Sequence, residues 1–179
     1  MSSDENSQIF WSVVWNKLFK KRLFEGLCFP VGYAIEDLYI IYELFDRCAK
    51  VSCSSEAHYY YVQHQTSVLH STKRWELDSP AVYLHLADFF SNRNEYIDLY
   101  KKYLEYGIYR YRKGFWTMRN EIKGDRTFKG RIRDTKRNFR SAWRKGRGAY
   151  VNEPKQFIYF ELFYFSFLFA RLVCIVLKK

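Results

Sequence analysis

The segment Phe157–Leu177, FIYFELFYFSFLFARLVCIVL, constrains the fold more than any other part of the chain. Glu161 and Arg171 are its only charges. As a helix it would be about 31 Å long, enough to cross a bilayer. It is apolar on every side, so such a helix must be enclosed by protein or sit in lipid. Each charge costs about 2.5–3.5 kcal/mol at the centre of a spanning helix and less near its ends. Arg171 can snorkel toward Lys178 and Lys179, and Glu161 toward the other face, so insertion is marginal. The reading adopted is a core element of a soluble domain. A membrane anchor and a docking element for a partner subunit are the alternatives. An enclosed helix must give both charges partners or a route to water. The two charges lie about 15 Å apart along a helix, too far to pair with each other. Each is therefore expected near an end of the burial zone.

With 179 residues the chain is expected to form a single domain, 1–179. Hydrophobic residues at 48% against 27% charged exclude wholesale disorder. Periodicity then predicts the elements. Residues 7–24 read as an amphipathic helix, capped by Asn6 or Ser7, with Phe10, Val13, Val14, Leu18 and Phe19 at helical spacing. Gly32–Lys50 reads as a second helix that buries Ile35, Leu38, Ile41, Tyr42 and Phe45. His58–His70 is rich in aromatic and β-branched residues and fits either a strand pair or a helix; helix is preferred. Ser79-Pro80 predicts a helix start, with the helix running to about Phe90. Another helix is expected from Asn94 to Gly107, with Tyr96, Leu99, Tyr100, Tyr103 and Leu104 on one side. After Gly107 the run IYRYR alternates apolar and basic residues, and Lys113-Gly114 and Lys123-Gly124 suit turns. The fold class is therefore mainly α, a compact helical domain, with a small basic β-ribbon near 108–133 that would make it α+β. Asp134–Arg147 reads as helix again, with Phe139 and Trp143 at i,i+4.

Charge is concentrated in one part of the chain. There are 30 Lys+Arg against 19 Asp+Glu, a net charge of +11. Lys101–Arg147 alone carries 17 bases and 4 acids, so the remainder is slightly acidic. The densest piece is 124–148, with Arg126, Lys129, Arg131, Arg133, Lys136, Arg137, Arg140, Arg144, Lys145 and Arg147. Such a block repels itself unless salt or a polyanion neutralises it. Phe128, Phe139 and Trp143 interleave it, and bases with flat rings hold phosphates and stack on unpaired bases. Arginine outnumbers lysine in this block, which favours forked phosphate contacts over point-charge attraction.

Signatures of catalysis are missing. Neither GxGxxG nor GxxxxGK[ST] occurs, and there is no GxSxG, HExxH or paired CxxC. His58, His64 and His70 share one face only if they lie on a strand, where they could bind a metal; solvated or core histidines are the preferred reading. Trp116–Arg126, WTMRNEIKGDR, is similar over a short stretch to the RN-x-x-x-H-G turn of the HEPN helical ribonucleases, whose Arg and His cut RNA. Arg119 and Asn120 match that turn, but Lys123 precedes Gly124 where the family has its histidine. The likeness therefore implies at most an inactive relative. Cys28, Cys48, Cys53 and Cys174 are widely spaced, and no secretory signal opens the chain. Reduced thiols and an intracellular location are expected, with a Cys48–Cys53 disulfide as the alternative.

These readings converge on a non-catalytic nucleic-acid-binding protein, RNA preferred, without cofactor or metal, acting alone or within a ribonucleoprotein. The expected contacts are Arg126, Lys129, Arg131, Arg133, Lys136, Arg137, Arg140, Arg144, Lys145 and Arg147, with Trp143 either stacking on a base or anchoring the helix. The alternative is a membrane-associated protein, held by 157–177 and by its basic surface on an anionic leaflet. Partner protein subunits are a further expectation.

Overall fold

Apolar residues at helical spacing organise most of the chain, and the fold is mainly helical. The computed structural model describes residues 11–62, 64, 73–121 and 126–167, with side chains except at 73, 74, 115–121 and 126. Five helices are described: α1 (Glu36–Asp46), α2 (Lys73–Phe90), α3 (Ile97–Glu121), α4 (Arg126–Gly146) and α5 (Pro154–Phe165). Short 3-10 turns occupy Lys21–Phe24, Asn94–Tyr96 and Arg147–Tyr150. Contacts divide the chain into two compact units, Met1–Arg74 and Trp75–Lys179.

The first unit is built on α1. Ile40, Ile41 and Leu44 are fully buried, and Val14, Phe19, Leu23, Phe24, Leu27, Leu38, Tyr42 and Phe45 pack around them. Of the helix expected over 7–24, residues 7–10 lie outside the described ones, and 13–24 are not helical apart from the turn at Lys21–Phe24. Side-chain groups, one of them from a distant part of the chain, take backbone groups that such a helix would use. The Val14 N–H donates to the Asp37 carboxylate at 3.2 Å, and the Lys17 ammonium donates to the Val13 carbonyl at 2.6 Å. Partial burial raises the Asp37 pKa and lowers that of Lys17, and the attraction between the two opposes both shifts. Arg47 donates to the Leu23 and Glu25 carbonyls at 2.9 and 2.6 Å, fixing the turn against α1. The helix preferred for 58–70 is likewise absent at 58–62, which form no regular element; residues 63 and 65–70 lie outside the described ones. The rings that suggested an element there are used locally instead. Tyr59 and Tyr61 both stack on Trp15, at 4.6 and 4.8 Å.

The second unit holds the larger core. Leu84, Leu86, Tyr100, Leu104, Ile108, Phe139, Trp143, Tyr150, Phe160 and Phe163 are buried in it. Helix α2 does not begin at Ser79-Pro80 but runs through it, with Pro80 inside the helix. Proline lacks the N–H that would bond the carbonyl four residues back. That carbonyl belongs to Glu76, and the Ser79 hydroxyl donates to it at 3.3 Å. The same serine that looks like a cap thus repairs the gap its neighbour leaves. Helix α3 also continues past Gly107. A Cβ there would lie 2.7 Å from the Leu84 side chain, so this glycine serves helix–helix approach rather than termination.

The basic β-ribbon near 108–133 is not found: 108–121 and 126–133 are helical, and 122–125 lie outside the described residues. The period-two pattern of IYRYR is not realised, because Ile108 and Tyr111 face the core together with Arg110. Arg110 turns inward, donating to the Ser79 hydroxyl at 3.1 Å and lying 3.9 Å from the Trp75 ring centroid. At the C-terminal end, the helix read over 157–177 starts at Pro154 and stops at Phe165, with Ser166 extended; Arg171 lies outside the described residues. Among the described residues, no helix is long and apolar enough to cross a membrane.

Candidate nucleic-acid interface

Helix α4 sorts its residues by angle. At about 100° per residue, Arg131, Thr135, Asn138, Phe139, Ala142, Trp143 and Gly146 fall on one side. All seven are buried. Lys129, Arg133, Arg137, Arg140 and Arg144 fall within an arc of about 80° on the opposite side. All five are exposed, and Arg147 extends the row into the following 3-10 turn. From Lys129 to Arg144 this row is about 22 Å long.

The inner face fixes the row in place. Trp143 packs 5.4 Å from both Phe157 and Phe160 of α5, centroid to centroid. Its indole N–H donates to Glu161 at 3.1 Å. Phe139 meets Phe160, Phe163 and Phe167 at 6.3, 6.1 and 5.6 Å. Asn138 donates to the Ala81 carbonyl of α2 at 2.8 Å. Gly146 lies against the Tyr100 ring so closely that a Cβ would come within 2.3 Å of it. Helix α3 is tied to the same region through Tyr150, which donates to Glu105 at 3.1 Å, and through the Lys101–Glu153 ion pair. Burial and the neighbouring carboxylate Glu105 raise the Tyr150 pKa, so its hydroxyl stays a donor at physiological pH.

The sequence-level contacts therefore separate into distinct environments. Lys129, Arg133, Arg140 and Arg144 have no acid partner among the described residues. Arg137 stands beside Asp134 at 3.0 Å and Arg147 beside Glu161 at 3.4 Å, yet both remain largely exposed. Lys145 reaches Asp88 at 2.7 Å, and Lys136 lies 5.5 Å from the Phe167 ring centroid. Arg131 is not in the row. It is buried and its Nε is 2.5 Å from the Asp78 carboxylate of α2. Trp143 is 1% exposed, which leaves no ring face for a base. Arg126 opens α4, but its side chain is outside the described ones. Sequence reading missed the acids that engage these bases. Asp134 was legible from its i,i+3 spacing to Arg137; Asp78, Asp88 and Glu161 lie on other helices and gave no local signal.

A cleft of about 250 Å³ beside the end of α4 is bordered by Arg93, Tyr100 and Lys145, with no carboxylate, histidine or cysteine in its lining. In the first unit His58 pairs with Glu56 at 3.1 Å on an open surface. Among the described residues, no group of His, Cys, Asp and Glu converges as a metal-binding set. Arg119 and Asn120, the residues that resemble the HEPN turn, lie in α3 with side chains outside the described ones. No protein-family model matches the chain, and comparison with curated proteins and with solved structures found no match.

Proposed function

We propose that this chain is a non-catalytic nucleic-acid-binding protein, with RNA the preferred partner, working alone or as a subunit of a larger ribonucleoprotein. One observation carries the reading: the exposed row Lys129, Arg133, Arg137, Arg140 and Arg144 on a helix whose opposite face is locked into the core. A row of cations carried on a packed helix has already lost the backbone freedom that a loop gives up on binding. Polyanions also release counterions when they meet it. Arginine forks can bond a phosphate and a nearby 2′-hydroxyl together, which supports RNA over DNA.

The membrane alternative draws less support. Ile158, Leu162 and Phe165 do form an exposed apolar stripe on α5. That helix packs Phe160 and Phe163 against the inner face of α4, however, so the stripe and the basic row point away from each other. A flat bilayer surface cannot engage both at once.

Charge reversal tests the proposal. Changing Arg133, Arg137 and Arg140 together to Glu should weaken RNA affinity by at least about tenfold. The thermal midpoint should change little, because all three side chains are exposed. Affinity unchanged by this triple substitution, measured by fluorescence anisotropy on full-length protein, would count against the row as the contact surface.

A further inference from the structure

We infer that the partner of the α4 row is a double-stranded segment, held by its phosphate backbone without regard to sequence. This inference rests on the nucleic-acid reading of that row and narrows it. Single-strand binding without sequence preference draws on aromatic rings that stack on successive bases. The basic block holds three rings, but Phe139 and Trp143 are 0% and 1% exposed and are enclosed by rings of α5, and Phe128 is only partly exposed. The exposed rings Tyr106 and Tyr109 belong to α3, where they stack on each other, and Tyr106 also meets Tyr83 of α2. The exposed ring Phe165 is on the side of α5 turned away from α4. Every fully exposed side chain of α4 is therefore a base or Thr127.

The row also suits a duplex by charge density. Over about 22 Å of helix axis, a duplex offers about 13 phosphates and a lone strand about 6. A rigid partner with regularly spaced phosphates can match a row whose backbone is fixed by the helix. A flexible strand would have to be ordered on it with no stacking to offset that ordering. Among the described side chains of α4, the fully exposed ones are cations and Thr127, and cations directed at phosphates carry no base identity.

The test is a competition titration with full-length protein, setting an RNA duplex against an oligouridine strand of equal length, which cannot pair with itself. With five contacts, counterion release alone favours the duplex by about 5–10-fold at 0.15 M salt relative to 1 M. The duplex should bind more tightly by at least that factor, and a duplex of shuffled sequence should bind as tightly as the first. Equal or tighter binding of oligouridine overturns this inference while leaving the nucleic-acid reading intact. So does affinity that falls on shuffling. Failure of both duplex and strand to bind overturns the inference and the reading beneath it.

Discussion

Replacing Trp143 by alanine should destabilise the second unit by about 3–5 kcal/mol, enough to unfold a marginal domain at ordinary temperature. The indole is 1% exposed and sits among Phe157, Phe160 and Tyr150 at 5.4, 5.4 and 5.7 Å. Its removal leaves a cavity the size of a bicyclic ring in a zone where two helices meet. It also takes from Glu161 the 3.1 Å donor that holds it beside Arg147. Truncation should therefore act twice, through lost packing and through a half-buried carboxylate with one partner fewer. Trp143→Phe keeps most of the packing and should cost clearly less. Urea denaturation followed by circular dichroism reads both values. A melt unchanged by Trp143→Ala, together with lost RNA affinity, would mean that the ring serves a ligand and not the core.

An effect of similar size is expected at the Asp78–Arg131 pair. Asp78 is 2% exposed, and its carboxylate lies 2.5 Å from the Arg131 guanidinium, which is itself buried. Desolvating both charges is expensive, and their attraction offsets that only while both are present. Asp78→Ala should therefore cost about 3–5 kcal/mol, because it takes from a buried guanidinium between α2 and α4 its 2.5 Å carboxylate and leaves Asp134 at 4.0 Å. The double change Asp78→Leu with Arg131→Met should cost less than Asp78→Ala alone, since no charge is then stranded. A double-mutant cycle from urea melts gives the coupling directly. Strictly additive effects would show that the two side chains do not depend on each other.

Arg131 also shows what the sequence could and could not disclose. Arg131 and Arg133 are both arginines in one basic run, and nothing in composition separates them. They differ by about 200° on a helix, which puts one in the core and the other in water. That distinction needs the correct period over 126–133, and the IYRYR alternation upstream pointed to period two. From Asp134 onward the apolar spacing of Phe139 and Trp143 was unambiguous, and the helix there was legible. The mainly helical class was legible for the same reason, as was the need of Glu161 for partners, met by Trp143 and Arg147. The misread parts have a common physical cause. Ser79-Pro80 has the composition of a helix start, yet a side-chain hydroxyl satisfies the orphaned carbonyl and the helix continues. Val13–Lys17 has helical spacing, but Asp37, from a distant part of the chain, captures its backbone. In each case a side-chain hydrogen bond to the backbone outweighed a local preference of a kcal/mol or so.

The central claim, that the exposed row on α4 neutralises a phosphate backbone, is tested most directly by the salt dependence of binding. Affinity of the full-length protein for an RNA duplex, measured across a salt series, should give a linear plot of log affinity against log salt. Its slope should be about −4 to −5, the value for five phosphate contacts. The Arg133, Arg137 and Arg140 triple reversal should flatten that slope by about 2.7 or more. A slope near zero, or one that the reversal leaves unchanged, would contradict the account.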